Sequence, residues 1–497
     1  MQSFTGDNGQ EKKRGQKTVA YGIAAAVFFV LFAFADGPFF EADSESYLTM
    51  NIFREPGYPL FLAFCRLLPG ASSASFSGYA GVWYAVIIQS IVWAYATWRF
   101  AHLIMETVRN GGAAEKTVQI AGWAAMALQF AVCLLNRFAS GRGAMYSNSI
   151  LTESLAMPLY ILFVCYLFYL IRDGGKKNLL RCAICALLLI TIRKHMTITL
   201  LLWGFAVFVI RLVIGKTRQV RTFAIHCAVI LLVFLGSRLF TGCYNLVRFG
   251  SFAQQAGRSE GMLCMLLYTA EESDAELFRE NEAAERAWFE EMARKQRESG
   301  ARYADAPHAD GWMARYEYFM NRYDEIGYGI VHGVLLEAAE EKLGADASVS
   351  SKTREMYELE GTLLPGLLRQ ELRDYVQVYA DNLLAGLLYS NARASVSYLP
   401  VSFLFYGFYL GMLIRCVRSR QQADGVEDGD AITGRDIPLL AFLVLSGLLI
   451  NAGTVAAFIF SQPRYNIYSM AMFYAMMVVM RIPETAGSKS SKGSKKF

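Results

Sequence analysis

The sequence predicts an all-α protein: a polytopic transmembrane helical bundle of about ten spans with a helical extracytoplasmic insertion. Three observations predict it. The 497 residues are 54% apolar and only 18% charged, and the apolar residues come in long runs without helical or strand alternation, the pattern of helices solvated by lipid. Lys and Arg gather in every second connection between those runs. One long stretch, from about Cys243 to Ser397, interleaves charges with Leu, Trp, Tyr and Phe at three- and four-residue spacing, as water-facing amphipathic helices do.

The first run, Val19 to Ala35, follows a basic segment and precedes many further runs, so it reads as a retained helix rather than a cleaved signal. Further spans begin at Tyr79, Thr117, Ile150, Asn178, Met196, Thr222, Tyr398, Ile437 and Tyr465, each at or near the roughly 20 residues a hydrocarbon core needs. Asn178 to Ile192 is short and ends in Arg193, Lys194 and His195, as a tilted or half-buried helix would.

Cations near helix ends mark the cytoplasmic side. They fall at Lys12 to Lys17, Arg109 and Lys116, Arg172 to Arg181, Arg211 to Arg221, Arg415 to Arg435, and the tail from Lys489 to Lys496. Both termini are therefore expected in the cytoplasm of a multi-pass cell-membrane protein. Asp43 to Pro59, Arg137 to Ser149, Arg193 to His195, the stretch after Gly242, and Ser461 to Arg464 are expected outside.

Three regions follow: residues 1–242, membrane-embedded; 243–397, the insertion, with helices at Phe278 to Arg302, Trp312 to Leu343 and Leu363 to Leu388; and 398–497, membrane-embedded with a basic tail. Asp424 to Asp430 reads as a polar linker, and the Ser, Gly and Lys tail after Pro483 as disordered. The net charge of +5 lies in short loops and the tail, where anionic lipid headgroups attract it, and does not imply nucleic acid. Most of the nine cysteines sit inside apolar runs; Cys182 and Cys185, one helical turn apart, read as packing rather than a metal or redox pair.

The first outer connection, D-S-E-S-Y-L-T-M-N-I-F-R-E-P-G-Y-P, carries the chemistry. Glu41, Asp43 and Glu45 crowd one helix end, so mutual repulsion is expected to raise at least one pKa and suit a carboxylate to take a proton or hold a divalent cation. Solvation of the helix end is the plain alternative, favoured for Glu41. Pro56 and Pro59 are expected to force an extended turn before Leu60 to Leu68, which has the length of an interfacial helix.

Arg464, in S-Q-P-R-Y-N, stands against the cytoplasmic bias of cations, and its guanidinium suits bidentate phosphate binding. Arg193, Lys194 and His195 form a second cationic cluster at an outer end. Glu153, in L-T-E-S-L, reads either as a helix N-terminal acid with Thr152 as its cap or as a wall of the same cavity.

D-S-E-S-Y with R-E-P-G-Y-P-L-F-L, I-L-T-E-S-L-A-M-P-L from Ile150, L-L-I-T-I-R-K-H to His195, and S-Q-P-R-Y-N from Ser461 together resemble the GT-C superfamily of membrane glycosyltransferases, which includes protein O-mannosyltransferases and bacterial aminoarabinose transferases. The resemblance spans Asp43 to Tyr465 in order and in expected sidedness; the insertion and linker match nothing in it. It implies a GT-C-type bundle that moves a sugar from a polyprenyl-phosphate carrier to an acceptor glycan, lipid or protein on the outer face, usually with inversion. Asp43 and Glu45 are then the catalytic acids, with Asp43 the base. Arg193, Lys194, His195 and Arg464 bind the donor phosphate, and Arg54, Tyr58, Glu153 and Tyr465 line the substrate cavity. Some relatives use a divalent cation, for which Mg or Mn on Asp43 and Glu45 is the candidate.

Two rivals from other classes stand beside it. A polysaccharide polymerase or ligase would rely on long outer loops rather than an acidic first one. A lipid-linked-sugar transporter would carry charges within spans, whereas here nearly all lie at helix ends.

Overall fold

The computed structural model describes residues 7–139, 143–214, 219–250, 252, 260–279, 282–424 and 436–482. Among them the chain is all-helical, with isolated bridges at Phe39–Ser149 and Phe76–Tyr79 and no strand. The connection at Lys216 and Arg218, Arg435, most of the linker to Asp430 and the tail after Ile482 lie outside the described residues.

Among the described residues seven helices are long and apolar enough to cross a membrane. They lie within α1 (Asp7–Asp36), α5 (Glu115–Ala139), α6 (Glu153–Asp173), α8 with its π-helical continuation (Ile198–Phe208 and Val209–Ile214), α9 (Val220–Phe249), α16 (Leu399–Asp424) and α17 (Asp436–Phe458). The other three expected spans are helical but differ in kind. α4 (Val82–Asn110) is long yet carries Gln89, Arg99, His102 and Glu106. α7 (Lys176–Ile192) has only 17 residues. The last run breaks into α18 (Pro463–Asn466), a 3-10 turn at Ile467–Ser469 and α19 (Met470–Val479).

Burial grades the bundle from centre to rim. The apolar window of α6 is 89% buried, against 17% for α9 and 11% for α16, so α6 is the central post and the other two leave Leu231, Leu235, Leu239 and Leu404 exposed, as lipid contact allows. α4 packs on α1, α5 and α6. At one end of the bundle Arg172 meets Glu106 (2.7 Å) and Asp436 (3.1 Å), while Asn110 donates to Asp436 (2.6 Å). Those helix ends share the side that carries the cationic connections, and the acidic loop, Arg193 and Arg464 meet at the opposite end.

The insertion has its own core. α10 (Glu260–Thr269) is apolar on all faces, and Leu263, Leu266 and Leu267 bury against Phe289 of α11 (Ala283–Ser299) and Phe319 of α12 (Trp312–Asp324). A π-helical segment, Glu325–Val331, carries α12 directly into α13 (His332–Leu343). The expected helix from Leu363 to Leu388 is two: α14 (Val349–Gln370), capped by the Ser348 hydroxyl accepting from the Ser351 amide (3.2 Å), and α15 (Leu372–Asn391), with the break at Glu371.

Candidate active site

The acidic loop is fixed first by its backbone. Phe39 N–H donates to the Asn148 carbonyl (2.9 Å) and Ile150 N–H to the Phe39 carbonyl (2.9 Å), which lays the loop beside the start of α6. Asp36 at the end of α1, its side chain buried, takes Arg137 (2.6 Å) and the Met145 amide (3.2 Å), joining the connection after α1 to the one after α5. Asp43 then precedes a short helix, α2 (Ser44–Leu48), where the Glu41 amide donates to Ser44 Oγ (2.8 Å) and Ser46 Oγ donates to the Asp43 carbonyl (2.6 Å).

Arg54 folds back over this turn. It lies 4.6 Å from the Tyr47 ring centroid, donates to Ser46 Oγ (2.7 Å), and closes on Asp43 Oδ1 at 2.6 Å. The other oxygen of Asp43 accepts from Arg464, 421 residues away in sequence, at 3.2 Å. Repulsion among the three acids, expected to raise at least one of them, does not raise Asp43. Burial does push its carboxyl up, but Arg54 and Arg464 together outweigh it and hold the group below the usual carboxylate range.

Arg464 sits at the second position of α18, after Pro463 at N1. Its turn is held by Asn451 Nδ2 donating to the Tyr465 carbonyl (2.7 Å) and by the Tyr316 hydroxyl donating to the Ser461 carbonyl. Besides Asp43, the guanidinium donates to the Tyr465 hydroxyl (2.9 Å) and reaches Glu153 Oε1 at 3.9 Å. Glu153 is 1% exposed, and the same oxygen pairs with Arg193, which also donates to Thr152 Oγ1 (3.3 Å). Glu153 is the acid of the first turn of α6, Thr152 before it makes no side-chain cap, and the carboxylate faces Arg193 and Arg464. The Tyr465 ring stands between the two cations, 4.7 Å from Arg193 and 5.0 Å from Arg464. His195 packs edge-on against Tyr465 and Tyr468, and both its ring nitrogens lack a hydrogen-bond partner.

Asp43, Arg54, Arg193, Arg464, Glu153 and Tyr465 thus form one cluster drawn from four distant segments, with one positive charge over. Three sequence-derived assignments fall elsewhere. Glu45 is exposed and makes no ion pair with the arginines that hold Asp43. Tyr58 is fully buried below the site, where its hydroxyl meets the Gln89 amide (2.7 Å) and its ring the edge of Tyr47, so it is a strut and not a cavity wall. Lys194 is exposed and faces Glu55 rather than Arg464.

The two prolines do not extend the chain. Pro56 is in the helical region, and α3 (Gly57–Leu67) begins at once, with Pro59 in a first turn that needs no amide donor. Gly57 is required there, since a Cβ would lie 2.7 Å from the Thr191 carbonyl carbon at the end of α7. That contact pins the loop against the segment that delivers Arg193.

Glu55 escaped the reading of the sequence although it adjoins Arg54. It accepts from Thr241 Oγ1 on α9 at 3.4 Å, with Lys194 and Arg238 as opposing charges. Burial pushes its carboxyl up to about 7, against the pull of the two cations. Arg238, a cation inside an apolar run, was the signal that could have found it.

A divalent ion does not fit this donor set. Both oxygens of Asp43 are taken by guanidinium groups, and no group of three or more His, Cys, Asp or Glu side chains comes together among the described residues. Compared with known proteins, the chain matches no protein-family model, no curated protein and no solved structure.

Proposed function

We propose that the protein is a GT-C-type membrane glycosyltransferase of about ten spans, with both termini cytoplasmic, that moves a sugar from a polyprenyl-phosphate carrier to an acceptor on the outer face. The observation that carries the reading is the pairing of Asp43 with Arg464 beside Arg193 and Glu153, at the ends of apolar helices. A base, a residual positive charge and lipid access are what the reaction needs together.

Arg193 and Arg464 take the phosphate of the donor, and Arg54 keeps Asp43 oriented. The acceptor hydroxyl attacks the anomeric carbon, its proton passes to Asp43, and the bond from that carbon to the phosphate oxygen breaks with its electron pair leaving on polyprenyl phosphate. Attack opposite the leaving group inverts the centre. Before donor binds, the two arginines make Asp43 a weak base. Once phosphate draws Arg464 away, Asp43 loses one of its two cations and its basicity rises where the proton is to be taken. Glu153 acts through the two arginines it pairs with, as a positioning residue.

The test is donor consumption by purified protein in lipid nanodiscs, with polyprenyl-phosphate sugars and a glycan acceptor. A transferase releases polyprenyl phosphate in step with glycosylated product. Donor moved across the bilayer with its glycosyl bond intact would establish a transporter instead and end this reading.

A further inference from the structure

At the end of the bundle opposite Asp43, two arginines stand among aromatic rings rather than beside carboxylates. Arg99 on α4 lies 4.7 Å from the centroid of the Tyr169 ring and meets His102 Nδ1 at 3.1 Å. Arg181 on α7 lies 5.7 Å from the centroid of Tyr166. The acids of this end are spent on other cations. Glu106 takes Arg172 (2.7 Å) and the Tyr169 hydroxyl (2.7 Å), Asp173 and Asp436 also take Arg172 (2.7 and 3.1 Å), and Glu115 takes Arg109 (3.3 Å). A cation on the flank of an apolar helix is stable only where water or an anion meets it.

Tyr166, on α6 between α4 and α7, joins the two arginines into one furrow. Its hydroxyl meets the Tyr95 hydroxyl of α4 at 3.4 Å on the exposed side, and its ring carries Arg181. Tyr95 is 44% exposed and Arg181 is exposed, so these groups are open to what lies outside the bundle. The furrow is also polarised along its length. Toward the near end of the bundle lie the exposed Lys176 and Lys177 at the start of α7. Toward the middle of the membrane, Ile91 one turn from Tyr95, and Ile184 and Leu188 one and two turns from Arg181, are exposed on the same helix faces.

We infer that this furrow binds an anionic phospholipid of the leaflet nearer Asn110 and Lys176. Its phosphate sits against Arg181 and the Tyr95 and Tyr166 hydroxyls, with Arg99 behind them, and its acyl chains run along Ile91, Ile184 and Leu188. Guanidinium and hydroxyl groups donate to phosphate oxygens, and the order of polar and apolar surface is that of a lipid standing in that leaflet. A dissolved anion would use the cations and leave the apolar stripe; an uncharged lipid would do the opposite. The inference needs a bundle that sits in a membrane and does not rest on the transferase reading.

The experiment uses the full chain, with lipid retained after detergent purification counted by native mass spectrometry and Tm measured in phosphatidylcholine nanodiscs with and without phosphatidylglycerol. The variants are Arg99→Gln, Arg181→Gln and, as a cation at the same end but on α16, Arg415→Gln. Wild-type protein is expected to retain phosphatidylglycerol over phosphatidylcholine and to gain Tm from it. Arg99→Gln and Arg181→Gln should each weaken that preference about fivefold, and Arg415→Gln should leave it unchanged. If Arg99→Gln lowers Tm in phosphatidylcholine alone, Arg181→Gln decides, because its guanidinium is exposed and supports no carboxylate. No preference in the wild-type protein, or an unchanged one in Arg181→Gln, would overturn the inference. So would an equal loss in Arg415→Gln, which would mark diffuse attraction to an anionic surface, or an equal rise in Tm from inorganic phosphate in phosphatidylcholine, which would remove the need for a lipid.

Discussion

Asp43→Asn keeps the shape of the side chain and deletes one charge from a site where both carboxylate oxygens accept from arginine. The two charge-assisted hydrogen bonds, at 2.6 and 3.2 Å, set an upper bound of about 3–6 kcal/mol on the stability lost. Asparagine retains one acceptor, and Asp43 is 29% exposed, so water replaces part of the rest and about 1–2 kcal/mol is expected. Catalysis is affected far more, since loss of a general base costs about 100- to 10,000-fold in rate. Donor affinity should hold or rise, because the variant leaves the three guanidinium groups opposed by Glu153 alone. The assay is polyprenyl-phosphate release at saturating donor, with donor binding and Tm measured on the same preparation. Turnover within threefold of wild type would refute the assignment of Asp43 as base, and a fall in donor affinity equal to the fall in rate would make it a binding residue.

Glu153→Gln is expected to act differently, because Glu153 is almost fully enclosed and its removal leaves Arg193 and Arg464 without their shared counter-charge: about 3–5 kcal/mol, read as a drop in Tm larger than that of Asp43→Asn. Equal drops would show that the two carboxylates are equally solvated. Gly57→Ala drives a methyl into the Thr191 and Ile192 backbone at 2.7–2.9 Å, so about 1–3 kcal/mol is expected, and a Tm equal to wild type would mean that α3 does not bear on α7. In the insertion, burial and then neighbouring Asp274 push the Glu371 carboxyl from 4.5 up to about 8. The folded state keeps a proton that the unfolded chain gives up, so stability falls from about pH 4.5 to about pH 8 and is level above. Glu371→Gln removes that slope, and its Tm advantage over wild type should widen across this window; parallel curves would refute it.

The membrane class and the meeting of the two ends of the chain were legible because each rests on local signals. Apolar run length gave the helices, and the alternation of cations placed residues 43 and 464 at one end, where the structure joins them. What failed was what depends on contacts across the chain. The three crowded acids read as a repulsive set, but Arg54 reaches back 11 residues to Asp43 and reverses the sign. Arg193 and Lys194 read as one cluster, yet adjacent residues at a helix end diverge, one to Glu153 and the other toward Glu55. α10 was missed because its unbroken apolar run, Met262 to Tyr268 inside a polar region, has no periodicity to read, and only burial on every side explains it.

The insertion is also more than a cover, because the structure holds the Arg464 turn from two directions. From below, Asn451 on α17 donates to the Tyr465 carbonyl; from above, Tyr316 on α12 donates to the Ser461 carbonyl, and Gly386 on α15 comes so near that a Cβ would lie 2.8 Å from Ser461 Oγ. The turn spans few residues and has no freedom left once both holds are made. The angle at which Arg464 meets Asp43 is therefore set jointly by the membrane bundle and by the insertion. A shift of α15 at Asp381 and Asn382 has only one helical turn in which to dissipate before it reaches Gly386, and close-packed helices transmit displacements of that size rather than absorb them.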